Sequence, residues 1–185
     1  MLKVENLSLQ DSKLFTLRHL KDNRGWFVET YRKSWIEDNI DQKMNFVFDY
    51  TSFNLLPNTV RGMHAQTHLY PQSKLVTVLH GSIQDVIVDA RKDSPTFGQS
   101  CSVILTDKSP QVLYVPIGFY HGFITLEANT LVSYKLDNYH NAECECGFLF
   151  DDDQMNIDWS IQDQSMITIS ERDKKHPSWE NAYKF

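Results

Sequence analysis

Residues 74–89 read KLVTVLHGSIQDVIVD, and this stretch decides the predicted architecture. Valine and isoleucine are concentrated on both sides of Gly81-Ser82, which is typical of two β-strands joined by a tight turn. A two-residue loop at this point predicts an antiparallel hairpin in which Lys74 lies opposite Asp89. Both faces of the hairpin would be mostly apolar, so we expect it to be covered on both sides.

Titratable side chains interrupt this apolar pattern at Lys74, His80, Asp85 and Asp89. A charge on a covered face costs free energy unless it has a partner. An ion pair between Lys74 and Asp89 would meet that requirement without any function. The alternative is that the covered charges belong to a site, which makes this stretch the first place to search for chemistry.

The remaining chain predicts short strands and few helical patterns. Strands are expected at residues 13–17, 26–31, 45–54, 102–105, 111–115, 119–125 and 131–136, and a short helix capped by Ser34 at 35–39. Many short strands at close spacing favour an all-β fold, and a double-sheet jelly roll fits their number best. We expect one domain over residues 1–185, with residues 160–185 packing over one end of the β body.

Length, composition and charge argue against several classes of protein. The 185 residues, 41% of them hydrophobic, can form one domain with a proper core. A net charge of -6 and the lack of a basic run argue against nucleic-acid binding. No apolar stretch approaches the ~20 residues that cross a bilayer. The three cysteines, an odd number, favour reduced thiols. We therefore expect a soluble, cytoplasmic protein.

A second hairpin is predicted over residues 119–136. If its loop has an even number of residues, His121 and Tyr134 point to the same face, among phenylalanine and valine side chains. Taken alone, a histidine and a tyrosine on neighbouring strands more often form a structural contact than a catalytic pair.

His64 is the third candidate, four residues after the start of the segment Val60-Arg61-Gly62-Met63-His64. The Arg61-Gly62 step can bend the strand, so both Arg61 and His64 could point inward. Each residue alone has an ordinary structural interpretation, as a surface arginine and a buried neutral histidine. Together the chain predicts one interior that collects His64, Lys74, Asp85, His121 and Tyr134, which is expensive to maintain for stability alone.

A metal centre is the main rival explanation of these histidines. His64 and His68, with His80 or His121, could supply imidazole ligands, as in jelly rolls that bind iron or manganese. The chain contains no His-x-His pair, and Lys74 stands where a carboxylate ligand would be expected. A lysine ammonium would repel a cation, so we predict neither a metal nor another cofactor.

The chain resembles the dTDP-4-dehydrorhamnose 3,5-epimerases and their relatives that act on other nucleotide-linked 4-keto sugars. The shared motifs are, in order, Asp22-x-Arg24-Gly25-x-Phe27-x-Glu29, Val60-Arg61-Gly62-Met63-His64-x-Gln66, Lys74-Leu75-Val76, Gly81-x-Ile83-x-Asp85-Val86-x-Val88-Asp89-x-Arg91, Ser94-Pro95-Thr96-Phe97-Gly98, Pro116-x-Gly118-Phe119-x-His121-Gly122-Phe123, Tyr134-Lys135, Tyr139, Ile157-Asp158-Trp159 and Ser170-Glu171-Arg172-Asp173. The resemblance implies a cupin-type jelly roll without a metal, a nucleotide-diphosphate 4-keto sugar as substrate, and a homodimer formed by strand exchange.

The resemblance also implies roles for the catalytic residues. His64 matches the general base and Asp173 the carboxylate that orients it, while Tyr134 matches the general acid on the opposite sugar face. Lys74 matches the residue that steadies the enolate. A proton next to a ketone becomes removable only if the enolate oxygen is stabilised and a base of near-neutral pKa is in place, and inversion needs an acid on the other face.

Further residues are implied in the same way. His121 with Asp85 matches a second histidine–aspartate pair. The substrate-binding side chains implied are Arg24, Phe27, Glu29, Phe48, Tyr50, Arg61, Gln66 and Tyr139.

Phe48 and Tyr50 depart from the family, which usually has Gln-x-Asn at these positions. The loss of two amides points to a different sugar or nucleotide, such as another deoxyhexose or a heptose. Within the same chemistry the alternatives are an epimerase that inverts only C3 or only C5, and a 3,4-ketoisomerase, which would need a base but not Tyr134. A non-catalytic sugar-nucleotide-binding module and a metal-dependent oxygenase are the more distant alternatives.

Overall fold

The computed structural model describes residues 2–40, 44–161 and 164–185, which form mainly short strands. The strands are β1 Lys3–Asn6, β2 Lys13–Thr16, β3 His19–Asp22, β4 Gly25–Val28, β5 Phe48–Asn54, β6 Val60–Gln66, β7 Lys74–His80, β8 Ser82–Asp89, β9 Ser100–Thr106, β10 Gln111–Val115, β11 Phe119–Thr125, β12 Thr130–Leu136 and β13 Glu145–Gly147. The described ranges contain one α-helix, α1, at Lys33–Asn39, and single 3-10 turns at Ala142–Cys144, Gln164–Met166 and Asp173–Lys175.

Two antiparallel sheets face each other and confirm the predicted jelly roll. The six-stranded sheet has the order β1-β2-β10-β7-β12-β5, and the five-stranded sheet has the order β13-β6-β11-β8-β9. Within the described residues, strands β3 and β4 pair only with each other, as a separate two-stranded sheet.

The main core lies between the two large sheets. Val76, Val78 and Val132 of the six-stranded sheet pack with Ile87 and Phe123 of the five-stranded sheet. Every residue of β8 is buried, as expected for a strand covered on both faces.

The predicted hairpin at Gly81-Ser82 is wrong, although both of its strands exist. Strand β7 pairs with β10 and β12 in one sheet, whereas β8 pairs with β9 and β11 in the other. Gly81, at φ +83°, therefore marks a corner where the chain crosses between sheets. Lys74 lies opposite Val115 and Leu136 instead of Asp89, so the proposed cross-strand ion pair does not form. Two strands covered on both faces can lie in different layers as readily as in one hairpin.

The second predicted hairpin fails for the same reason. Strand β11 belongs to the five-stranded sheet and β12 to the six-stranded sheet, so His121 and Tyr134 are not cross-strand neighbours. Their rings nevertheless approach across the core, with centroids 6.3 Å apart.

The peripheral segments differ from the predictions in detail. Helix α1 is present, but its N-cap is Arg32 without a side-chain hydrogen bond, so the predicted Ser34 cap is wrong. The strand predicted at residues 26–31 ends at Val28. In the C-terminal segment, Trp179 and Ala182 are buried against Tyr120 in a cluster on the outer face of the five-stranded sheet.

In the described part of the chain, no helix has the length and apolar character needed to cross a membrane.

Candidate active site

A cavity of about 770 Å³ opens between the two sheets and brings together most of the predicted site residues. Eight of them line it: Tyr50, Arg61, His64, Gln66, Lys74, His121, Tyr134 and Asp173. The side chains that sequence reasoning derived from two supposed hairpins therefore meet because two sheets face each other.

His64 comes from β6, the strand next to β11, where it lies directly opposite His121. Gly62 allows these strands to approach closely, because a Cβ atom there would lie 2.6 Å from the Cα atom of Gly122. The His64 Nε2 atom is 3.0 Å from Oδ1 of Asp173, and the Gly62 backbone N–H donates to Oδ2 of the same carboxylate at 3.2 Å.

Asp173 is a buried carboxylate whose partners favour its ionised form. Burial alone would raise its pKa, but the hydrogen bonds from His64 and the Gly62 backbone lower the pKa of Asp173 to about 2. The carboxylate is therefore ionised at neutral pH and can stabilise a positive charge on His64.

Tyr134 enters the cavity from β12 in the opposite sheet. Its hydroxyl is 3.1 Å from Ser52 Oγ, and Ser52 in turn accepts a hydrogen bond of 3.4 Å from the Asn54 amide. The side-chain oxygen Oδ1 of Asn54 accepts a hydrogen bond of 2.7 Å from Arg61 Nε. Burial raises the pKa of Tyr134 well above its usual value, so the phenol is protonated at neutral pH.

Two further groups place a positive charge and a second imidazole in the cavity. Burial lowers the pKa of the Lys74 ammonium to about 8, while the Asp85 carboxylate opposes that change. His121 Nε2 is 2.9 Å from Oδ2 of Asp85, and both side chains are buried. Asp85 itself is fully buried and does not line the cavity.

Two of the predicted substrate-binding residues lie at the cavity's edge. The ring of Phe48 is 4.4 Å from that of Tyr50 and 6.1 Å from that of Tyr139, measured between centroids. Tyr139 is exposed. The three rings form an aromatic group beside the cavity in the place where the sequence departs from the family pattern.

Three predicted residues lie away from the cavity of their own chain. Arg24 pairs with Asp22 at 2.6 Å, on the two-stranded sheet formed by β3 and β4. Phe27, on the same sheet, is 70% exposed, and Glu29 pairs with Arg32 at 2.8 Å. Their roles as substrate contacts stay predictions.

Sequence reasoning missed several polar residues around the cavity. Ser52 lies two residues after Tyr50 on β5, and side chains two residues apart on a strand point to the same face, so this period could have identified Ser52. Glu145 and Arg172 also line the cavity, and the Arg172 Nη1 atom donates to Oε2 of Glu145 at 3.0 Å. Glu145 is brought there by β13, a three-residue strand without a clear sequence signal.

The arrangement can perform proton transfer on a small molecule. A histidine oriented by a carboxylate lies on one wall, and a protonated phenol lies on the other. The partly buried ammonium of Lys74 lines the same cavity. These are the groups needed to remove a proton next to a carbonyl, stabilise the resulting anion and return a proton.

Comparisons with known proteins agree with this chemistry. The sequence model of the dTDP-4-dehydrorhamnose 3,5-epimerase family matches residues 6–181. An enzyme of that name from Sinorhizobium fredii is 37% identical over 174 residues, which cover 94% of this chain and 88% of the relative.

Solved structures of the same family are similar along nearly the whole chain. The dTDP-4-dehydrorhamnose 3,5-epimerase of Elizabethkingia anophelis has a TM-score of 0.92 at 34% identity, with 98% of this chain and 99% of that chain covered. The enzyme of Bacillus anthracis, determined with TDP and PPi bound, has a TM-score of 0.90 at 39% identity, with 96% of this chain and 99% of that chain covered.

Proposed function

The chain belongs to the dTDP-4-dehydrorhamnose 3,5-epimerase family, and on that premise we propose which of its residues carry the reaction. The protein is an isomerase, an epimerase that acts on a nucleotide-linked 4-keto-6-deoxy sugar at C3, C5 or both. Its relatives are named for a dTDP-linked substrate, which makes the dTDP sugar the first one to test.

His64 acts as the general base. Its Nε2 atom faces the ionised carboxylate of Asp173, which favours the tautomer with a proton on Nε2 and a free electron pair on Nδ1. The Nδ1 atom removes the proton next to the ketone, and the resulting imidazolium is stabilised by Asp173.

Lys74 and His121 stabilise the enolate that forms. Both line the same cavity as His64, and a positive or hydrogen-bonding group at a developing oxyanion lowers the barrier by several kcal/mol in a site that excludes water. The buried Asp85 fixes the orientation of the His121 ring through the 2.9 Å hydrogen bond.

Tyr134 supplies the proton to the opposite face of the sugar. It comes from the other sheet than His64, so the two groups can lie on either side of a bound pyranose. A neutral phenol delivers this proton without adding a further positive charge to a cavity that already contains Lys74.

An epimerase that inverts a single centre is the second candidate. The aromatic group formed by Phe48, Tyr50 and Tyr139 supports it, because these rings border the cavity where amide side chains are usual in the family. Counting the deuterons that enter the product in D2O separates one inversion from two.

The substrate contacts of Arg24, Phe27 and Glu29 fit an assembly of two chains. These residues do not line the cavity of their own chain, and they lie on or beside a β3–β4 hairpin that pairs with neither large sheet. We therefore propose a homodimer in which the hairpin of one copy completes the site of the other.

The proposed epimerase mechanism rests on one observation: His64 and Tyr134 line the same cavity although they belong to different sheets. The test is to incubate the protein in D2O with a dTDP-linked 4-keto-6-deoxy sugar and to follow label at C3 and C5 by NMR. His64→Ala should abolish exchange, whereas His68→Ala, which changes a histidine outside the cavity, should leave it unchanged. Normal exchange in His64→Ala would reject the base assignment.

A further inference from the structure

The imidazole of His176, which was not among the predicted site residues, lies beside the His64–Asp173 pair. The Nε2 atom of His176 is 3.8 Å from Oδ1 of Asp173. The rings of His64 and His176 are 5.3 Å apart between centroids and nearly perpendicular. His176 Nε2 is buried and has no hydrogen-bond partner among the described residues.

The backbone around His176 leaves room for this imidazole. A Cβ atom at Gly147 would lie 2.5 Å from both Cε1 and Nε2 of the His176 ring. Any side chain at position 147 would therefore displace the ring from Asp173. Because an unpaired buried nitrogen costs free energy, its position calls for an explanation beyond packing.

The three side chains have the geometry of a metal site. One ligand atom from each of His64, Asp173 and His176 lies within 4.8 Å of the others. Zinc binds imidazole nitrogen and carboxylate oxygen at about 2 Å, so two ligands of one tetrahedral ion are roughly 3.3 Å apart. The separations of 3.0 Å and 3.8 Å from Asp173 Oδ1 to the two Nε2 atoms lie on either side of that value.

We propose that His64, Asp173 and His176 form a binding site for Zn²⁺ or a similar late transition-metal ion, and that its occupation inhibits the epimerase. The inhibitory part rests on the proposed role of His64. An ion on Nε2 of His64 takes the place of the proton, which then resides on Nδ1. That nitrogen no longer has a free electron pair, so the imidazole cannot act as the base.

Lys74 lines the same cavity, but its charge interacts with the carboxylates of Asp85 and Glu145, and the charges next to Asp173 are compatible with a cation. Arg172 is the nearest positive group, with Nε 3.9 Å from Oδ1 of Asp173. Both of its terminal nitrogens, however, are hydrogen-bonded to Glu145, whose carboxylate offsets the guanidinium. Asp173 then remains as one net negative charge, and the buried Nε2 atom of His176, which has no hydrogen-bond partner among the described residues, is available as a ligand.

The site is tested by titrating the full chain with Zn²⁺ in calorimetry and, in parallel, by measuring epimerase activity. We expect one ion per chain, loss of activity as the site fills, and recovery on addition of a chelator. Mg²⁺ should have neither effect, because it prefers all-oxygen coordination with retained water. A wild-type chain that binds no Zn²⁺ would overturn the proposal.

Two His176 variants distinguish this site from others. Losing a residue that only orients a ligand already costs about 10–100-fold in metal affinity, so His176→Ala should lose about 100-fold or more. His176→Gln should behave alike. Both variants should have normal activity without Zn²⁺, because His176 does not line the cavity. They should also keep that activity when Zn²⁺ is present, because they bind the ion weakly. Circular dichroism and thermal melts check that they fold.

His140→Ala is the matched control, since this histidine lines the same cavity but pairs with Glu145. It should bind Zn²⁺ as the wild type does. Unchanged binding in both His176 variants, or a thiolate charge-transfer band with Co²⁺ that reports ligation by Cys144 or Cys146, would overturn the site. Zinc binding as expected in a chain without epimerase activity would instead overturn the proposed function alone.

Discussion

Tyr134 is the residue whose removal should separate proton abstraction from inversion. In Tyr134→Phe, His64 still removes the proton, and its imidazolium exchanges that proton with solvent before returning it to the same face. We expect deuterium to enter the substrate with retained configuration, while inversion slows by about 10²–10⁴-fold, the usual contribution of a general acid. NMR of substrate and product in D2O measures both rates.

Ser133→Ala provides the control for Tyr134→Phe, because it alters the adjacent residue of β12, which does not line the cavity. Its inversion rate should match that of the wild type. Inversion at the normal rate in Tyr134→Phe would remove the phenol from the mechanism.

The pKa of the Lys74 ammonium leads to a prediction of how activity depends on pH. Its pKa is lowered to about 8, chiefly by burial, and the charged form is the one that stabilises the enolate. From neutral pH upward, activity should therefore be full below the pKa of Lys74 and fall as pH rises through about 8. Lys74→Arg should be slower, because the guanidinium is larger, but should lose this alkaline limb because arginine does not titrate in that range.

The measurement for Lys74 is the pH profile of kcat/KM between neutral and alkaline pH for both proteins. An alkaline limb that stays near pH 8 in Lys74→Arg would assign the titration to another group. The comparison depends on the position of the limb and not on the absolute rate.

The catalytic residues could be predicted from sequence more readily than the residues that contact and position them. His64, Lys74, His121 and Tyr134 are polar groups in apolar strands, which is a local signal. Glu145 and His176 carry no such signal, because their position depends on pairing between distant segments. The resemblance to a family supplied Asp173, since nothing in the C-terminal residues alone places that carboxylate next to His64.

At the level of elements, the strands were predictable and their pairing was not. Strands β10 and β11 have the predicted bounds of 111–115 and 119–125. The hairpins predicted at residues 74–89 and 119–136 are both crossings between sheets. The hydrophobic pattern specifies which faces of a strand are covered. It does not specify whether the next strand in the chain pairs with it in the same sheet or packs against it in the opposite sheet.

The close approach of the paired strands β6 and β11 at Gly62 predicts a large loss of stability for Gly62→Ala. Gly62 has φ +115°, and an added Cβ atom would lie 2.6 Å from Cα of Gly122 and 2.8 Å from the His121 carbonyl oxygen. Both contacts are with backbone, which cannot move aside. The Gly62 N–H also holds Asp173, so any shift would disturb the base as well.

Gly25→Ala is the matched control for Gly62→Ala. Gly25 has a similar φ of +126°, but a Cβ atom there would meet nothing within 4 Å. This variant should lose about 1–2 kcal/mol of unfolding free energy from the backbone conformation alone, and Gly62→Ala roughly twice that or more. Chemical denaturation measures the difference, and equal losses would show that the close approach carries no cost.

At the level of the whole molecule, the β3–β4 hairpin is the part that a single chain leaves unexplained. Leu20, Trp26 and Phe27 are all exposed on it, at 42%, 51% and 70%. Large apolar side chains grouped on one protruding element mark an interaction surface. The homodimer that we propose would account both for this surface and for the absence of Arg24 and Phe27 from the lining of their own cavity.

Mixing two inactive variants tests whether the hairpin serves the partner's site. One chain carries His64→Ala, and the other carries Arg24→Ala with Phe27→Ala; each should be inactive by itself. In a mixed dimer one site receives both defects and the other receives none, so random reassociation after joint refolding should restore about a quarter of the wild-type sites. If the hairpin serves its own chain, every mixed dimer has one defect in each site and no activity returns. Light scattering on the separate variants must show dimers, because a loss of assembly in the hairpin variant would also prevent recovery. If the double hairpin variant does not dimerise, Arg24→Ala alone, which leaves the apolar residues in place, takes its place in the mixture.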